Sequence, residues 1–152
     1  MKLCSDVLTA LAGKTLVTAE SLTGGGIGAA LTAVSGSSVV YKGGIISYTN
    51  WVKEHILGVT HETLEYHGAV SLQTAEEMAV GARRVLRADV AVSVTGLAGP
   101  GGDDYGNPVG TVFIGYCDAD RLLTGEFHFS GDRESVRHQT IEAALKLVLE
   151  HN

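Results

Sequence analysis

The chain has little that would lock or bridge a backbone: of 152 residues, 2 are proline and 2 are cysteine. Cys4 and Cys117 lack the paired spacing of a metal site, so they are expected to be reduced thiols in a cytoplasmic protein. Blocks of Lys or Arg are missing too. With 11 basic residues against 17 acidic ones the net charge is −6, which argues against a nucleic-acid partner. A small anionic ligand needs only a local site and remains compatible. No apolar run approaches the ~20 residues of a membrane span, so no membrane association is expected. The apolar stretch near the start is broken by Ser5 and Asp6, which favours a first helix over a secretory signal.

Glycine is abundant, with 20 residues. These cluster at 24–28, 43–44, 96–102 and 106–110, so they mark particular turns rather than low complexity. The length suits one domain over 1–152 with a full core. Residues 2–12 read as a helix, Thr15–Ala19 as a β-branched strand, and Thr23 as the cap of a second helix. Val39–Thr49 reads as a strand with a bulge or close approach at Gly43-Gly44, and Asn50 as the cap of the helix that follows. Thr60 can cap a further short helix, and Thr74 to Glu77 matches a capping box inside the next. In that helix Ala75, Met78, Ala79, Ala82, Val85 and Leu86 recur at helical spacing. Strands at Asp89–Thr95, Val109–Tyr116 and Leu122–Phe129 precede a last helix over 134–150, and the last two strands form an antiparallel hairpin. Strands alternate with helices until that hairpin breaks the pattern. The pattern predicts an α/β fold, a three-layer α/β/α sandwich around a mixed β-sheet.

Two motifs mislead. Gly24 to Ala29 fits G-x-G-x-x-A between a strand and a helix, but GGIISYTN lacks the acid a dinucleotide fold needs about 20 residues later. Gly13-Lys14-Thr15 resembles the end of a phosphate loop, yet Leu8 stands at its first glycine and a strand follows. The six histidines show no helical pair, so no metal site is expected.

Four polar sets remain. Ser21 and Thr23, with Gly24 and Gly25, stand at a strand's carboxyl end beside a helix start, where loose N–H groups can hold an anion or an oxyanion. Both hydroxyls could equally be helix caps. Tyr48, Asn50 and Lys53 form the second set. Near the positive end of a helix Lys53 would lose proton affinity and could act as a base for a serine, or it could be an exposed lysine paired with Glu54 or Glu62. The third is Thr95-Gly96-Leu97-Ala98-Gly99-Pro100-Gly101-Gly102, a strand-end loop whose glycines let backbone approach a ligand. The fourth is Arg133 and Arg137, four apart on one helix face. They could grip phosphate or carboxylate, or lie solvated in a first turn capped by Asp132.

Together these sets resemble the C-terminal domain family of the competence-associated protein CinA. The matching pieces are TAES-TGG at 18–25, SGSS at 35–38, YKGGIISYTN--K at 41–53, LGV at 57–59 and GAVS at 68–71. They continue as AD-AVSVTG-AGP-GG at 88–102, NPVGTV at 107–112 and F-GDR--VR-QT at 129–140, in order along nearly the whole chain. The resemblance implies the three-layer fold and, as in stand-alone members, hydrolysis of the carboxamide of nicotinamide mononucleotide in pyridine nucleotide salvage. It implies a serine–lysine site with Ser21 as nucleophile, Lys53 as base and Tyr48 to orient or relay. The substrate would be held by Thr23, Gly24, Gly25, Ser38, Asn50, Thr95, Gly96, Gly99, Pro100, Gly101, Gly102, Arg133 and Arg137.

No metal or cofactor is then needed, because the serine and its base replace an activated water. The resemblance also implies a chain without the N-terminal domain of full-length CinA-type proteins. The family's usual Cys after the serine is Leu22 here, and its Tyr-Ser-Asn is Tyr48-Thr49-Asn50. Its usual Lys before PVG is Asn107, after Asp103-Asp104-Tyr105, which removes positive charge from the expected phosphate site. A non-catalytic nucleotide-binding module of the same fold is the alternative. Apolar faces on several helices predict a homodimer.

Overall fold

A computed structural model describes residues 2–152. The elements are α1 (Lys2–Ala10), β1 (Leu16–Glu20), α2 (Gly26–Thr32), a 3₁₀ turn (Ser37–Val39), β2 (Tyr41–Ile46), α3 (Asn50–His55), α4 (His61–Tyr66) and α5 (Leu72–Leu86). There follow β3 (Val90–Gly96), β4 (Thr111–Cys117), β5 (Leu122–His128) and α6 (Arg133–Glu150). The sheet order is β2-β1-β3-β4-β5. β2, β1 and β3 run parallel, while β4 and β5 are antiparallel to their neighbours. The expected mixed sheet is therefore present.

Strand alternation builds the layers. In β3, Val90, Val92 and Val94 face one side, where they join Val7 of α1, Ile27 of α2 and Leu145 of α6 in the main core. Ala91 of the same strand faces the other side, with Met78 and Ala82 of α5. Every residue of β1 is buried, as befits a central strand covered on both faces. Asp89 ties the starts of β1 and β3 together by accepting from the N–H and hydroxyl of Thr15.

Several ends differ from expectation for physical reasons. Thr23 does not cap α2, which begins at Gly26 with Gly25 before it in a left-handed conformation (φ 100°). Asn50 is the first residue of α3, not its cap. The cap of α5 is Ser71, whose side chain accepts from the Thr74 N–H. Glu77 instead spends its carboxylate on the N–H of Thr60 and the hydroxyl of Thr63, and so fixes the start of α4. The close approach expected at Gly43-Gly44 is present at Gly44, where a Cβ would meet the Thr18 side chain, while the register irregularity of β2 falls at Lys42, since Leu16 pairs with Tyr41 and Val17 with Gly43. Val39, expected in the strand, lies in the 3₁₀ turn, and Val85 of α5 is exposed rather than buried.

α5 packs closely at Gly81 against the segment that follows α3, where a Cβ would land on the carbonyl oxygen of Leu57. Backbone cannot yield there as a flexible side chain can. Gly81→Ala is expected to lower stability by about 1–3 kcal/mol, despite alanine's better helix propensity. Thermal unfolding beside the parent protein checks this, and an unchanged or raised midpoint refutes it.

Candidate active site

The three parallel strands deliver their carboxyl ends to one edge of the sheet, where open α/β sheets bind ligands. Ser21 follows β1 directly and stays in register, its N–H donating to Val94 O at 3.1 Å. The next residues turn sharply: Gly24 N–H donates to Ser21 O and Gly26 N–H to Thr23 O. Gly24 (φ 58°) and Gly25 (φ 100°) both take the left-handed conformation that such a turn needs. The N–H groups of Leu22 and Thr23 have no hydrogen-bond partner among the described residues.

The N–H groups at the start of α2 are occupied. Glu20 is 2% exposed, and its carboxylate accepts from Ile27 N–H (2.8 Å), Gly28 N–H (3.0 Å) and the hydroxyls of Thr23 (2.7 Å) and Thr18 (3.1 Å). The Thr23 hydroxyl is thus committed to Glu20, which leaves its backbone N–H as the group that can face a ligand. Arg137 braces the same turn from α6, donating from Nε to Leu22 O and from Nη2 to Thr23 O.

Lys53 reaches this turn from α3. It is 1% exposed, and its Nζ lies 2.9 Å from Ser21 Oγ and 2.7 Å from Ser47 O. Burial holds its proton affinity down, to a pKa of about 8. That cause replaces the helix-end argument, since α3 has only six residues and Lys53 is the fourth. Nor does Lys53 pair with Glu54, which faces His55 and His61. A neutral amine has two N–H donors and one lone pair. Directed at the Ser47 carbonyl and the Ser21 hydroxyl, it can take the serine proton.

The pair opens into a cavity of about 410 Å³, within the roughly 300–1,000 Å³ range of small-molecule sites. Its walls are Ser21, Leu22, Tyr48, Asn50, Lys53, Ala69, Val70, the 95–99 segment, Gly101 and Arg133. A cavity of about 430 Å³ between β5 and α6 is slightly larger, but it holds no nucleophile beside a base. At the mouth of the site cavity Arg133 donates to Gly99 O (2.7 Å) and to the Tyr48 hydroxyl (3.0 Å). Tyr48 is 57% exposed and makes no hydrogen bond to Ser21 or Lys53, so the expected relay is not in place. The hydroxyl of Thr95 donates to Ala69 O.

Of the residues expected to hold substrate, Asn50, Thr95, Gly96, Gly99, Gly101 and Arg133 line the cavity. Gly24, Gly25, Pro100, Gly102 and Arg137 do not. Ser38 lies just before β2, at the end of the sheet opposite Ser21. Leu97 and Ala98 of the third set also line the cavity, and Ala69 and Val70 do so unforeseen, although GAVS at 68–71 was a visible signal. The altered loop also turns away from the cavity. Asp103 accepts from the N–H groups of Tyr105 and Asn107, Asn107 Nδ2 donates to Val70 O, and the Tyr105 hydroxyl donates to Leu64 O. The loop thus buttresses the wall from outside and leaves its acidic groups out of the cavity.

Fold and site together define a mixed α/β sheet with a strand-end serine, a buried lysine and a nucleotide-sized cavity. The chain belongs to the CinA C-terminal domain family, whose model matches residues 2–151. It is 48% identical over 132 residues to the nicotinamide-nucleotide amidohydrolase PncC of Enterobacter agglomerans, covering 86% of this chain and 80% of that protein. Identity to PncC of Escherichia coli K12 is 44%, over 88% of this chain and 82% of that protein. Against a CinA-like protein of Endomicrobium trichonymphae the match is 43% and spans 35% of that longer protein. Among solved structures, the competence damage-inducible protein A of Klebsiella pneumoniae superposes with a TM-score of 0.96 at 36% identity, over 98% of this chain and 94% of that one.

Proposed function

We propose that this chain hydrolyses the carboxamide of nicotinamide mononucleotide to nicotinate mononucleotide and ammonia. The observation that carries the reading is Lys53 Nζ at 2.9 Å from Ser21 Oγ, buried at the base of the cavity. The two PncC relatives, named for this activity and similar over most of their length, support the substrate.

Ser21 Oγ attacks the carboxamide carbon while Lys53 takes its proton. The N–H groups of Leu22 and Thr23, unpartnered and next to the nucleophile, stabilise the tetrahedral oxyanion. Lys53 then returns the proton to the departing ammonia. Water deprotonated by the same amine cleaves the acyl-serine and frees the carboxylate and Ser21. Arg133, Asn50, Thr95, Gly96, Gly99 and Gly101 hold ribose and phosphate, an assignment supported by their place on the cavity wall. The start of α2 is not used for the phosphate, because Glu20 already takes those N–H groups. No step calls for a metal ion or cofactor.

Pyridine nucleotide salvage in the cytoplasm is the setting. The free thiols of Cys4 and Cys117 support that compartment, and no helix among the described residues is long and apolar enough to cross a membrane. A single-domain protomer pairing as a homodimer is supported by the exposed apolar side chains Ile46, Tyr48 and Trp51.

Incubating the protein with nicotinamide mononucleotide is expected to yield ammonia and nicotinate mononucleotide in equal amounts, followed by a coupled ammonia assay and mass spectrometry. Nucleotide binding by calorimetry with no ammonia released would leave only the non-catalytic module.

A further inference from the structure

Glu20 is a buried acid that the chemistry above does not use. It is 2% exposed, and no Lys, Arg or His lies within salt-bridge distance of it among the described residues. Burying a carboxylate without a cation is costly, and four hydrogen-bond donors offset that cost here. Capping a helix does not demand this, since an exposed Ser, Thr or Asp does it at no desolvation penalty.

The position of Glu20 gives a reason. Its main-chain carbonyl accepts from Ser47 N–H at 2.8 Å, and the Ser47 carbonyl in turn holds Lys53 Nζ. Its side chain holds Thr23, which closes the turn that starts at Ser21 and carries the free N–H groups. Nucleophile turn and base are therefore both referenced to one residue. A second hydroxyl on the carboxylate, Thr18, is itself fixed by Tyr41 at 2.7 Å.

We infer that Glu20 is a positioning residue: through Thr23 its carboxylate sets the Ser21–Thr23 turn against Lys53. The inference rests on the serine–lysine reading. In Glu20→Gln an NH₂ replaces one oxygen and faces either Ile27 N–H or Gly28 N–H, donor against donor. Thr23→Val keeps shape and removes one link, whereas Thr23→Ser restores it.

The experiment measures kcat and KM for nicotinamide mononucleotide in these three variants, together with the rate at which a fluorophosphonate labels Ser21. Glu20→Gln is expected to lose on the order of tenfold to a hundredfold in both kcat and labelling rate, with KM within about twofold. Thr23→Val loses less, and Thr23→Ser returns to near the parent rates. The rise of kcat with pH stays centred near the same value, because burial and not Glu20 lowers the affinity of Lys53. A purely structural brace would lower the melting temperature and leave these rates alone.

Parent-like kcat and labelling in Glu20→Gln, a change confined to KM, or Thr23→Ser no better than Thr23→Val would each overturn the inference. If Glu20→Gln does not fold, the Thr23 pair decides. A parent protein that labels at Ser21 but releases no ammonia refutes the substrate reading alone, and the labelling ratios still decide on Glu20. A parent that does not label overturns both.

Discussion

Ser21→Ala is expected to lose ammonia release by about 10⁴-fold or more while still binding nicotinamide mononucleotide. The hydroxyl is the atom that forms the bond, and among the described residues no other hydroxyl or thiol lies against Lys53 Nζ. Most of the cavity wall is untouched by the change, so calorimetric affinity should stay within a few-fold of the parent. Some activity can survive through a water that Lys53 deprotonates in the space the oxygen vacates. That residue should be slow and should leave no acyl adduct on the protein. The substitution also strips Lys53 of one of its two partners, at a cost of about 1–3 kcal/mol. A lower melting temperature is therefore expected alongside the lost activity. Ammonia release at a rate near the parent's would end the nucleophile assignment, whatever the binding data show.

The parts of this protein that were legible in its sequence are those written in short-range periodicity. Short strand-forming runs such as Leu16–Val17–Thr18 and the apolar spacing of Ala75, Met78, Ala79 and Ala82 depend on neighbours a few residues away, and the structure has them as strand and buried helix face. Helix caps were less legible, because a cap is a choice among nearby hydroxyls and acids that tertiary contacts can outbid. Glu77 left its own helix to hold Thr60 and Thr63, and Thr23 was drawn to Glu20. The site was legible only as pieces. Ser21 and Lys53 are 32 residues apart, and no period links them.

Lys53 stands amid Tyr48, Asn50 and Glu54, a polar context that reads as surface, so its burial had no local signal. Arg133 and Arg137 share a helix face as their spacing requires, yet one borders the cavity and the other braces the nucleophile turn. Glu20 was hidden for the opposite reason. A carboxylate at a strand end is commonly solvated, and only the fold brings two N–H groups and two hydroxyls around it.

Lys53→Met is expected to abolish the pH dependence of the reaction as well as most of its rate. With a pKa of about 8 in the folded protein, roughly a tenth of the lysine is neutral at pH 7. In the parent, kcat/KM should therefore climb roughly tenfold from pH 7 and level off above 9. Methionine fills the same channel without a lone pair, so the rate should fall by about 10³-fold or more, with a flat profile over this range.

Stability moves the other way. The unfolded chain holds the lysine proton up to the ordinary value of 10.5, while the folded chain releases it near 8. Between those values the unfolded state binds more protons, so parent stability rises with pH across that window. Below about 8 the full penalty of burying the ammonium is in force, on the order of 3 kcal/mol. Lys53→Met removes it, and its stability should lack that slope and match or exceed the parent's at pH 7, even though Ser47 O loses its donor. Denaturant titrations at pH 7 and 9.5 on both proteins, set beside their pH–rate profiles, measure the two effects together. A parent rate that stays flat through pH 8, or a methionine variant that keeps the parent's pH dependence, would remove Lys53 from the role of base.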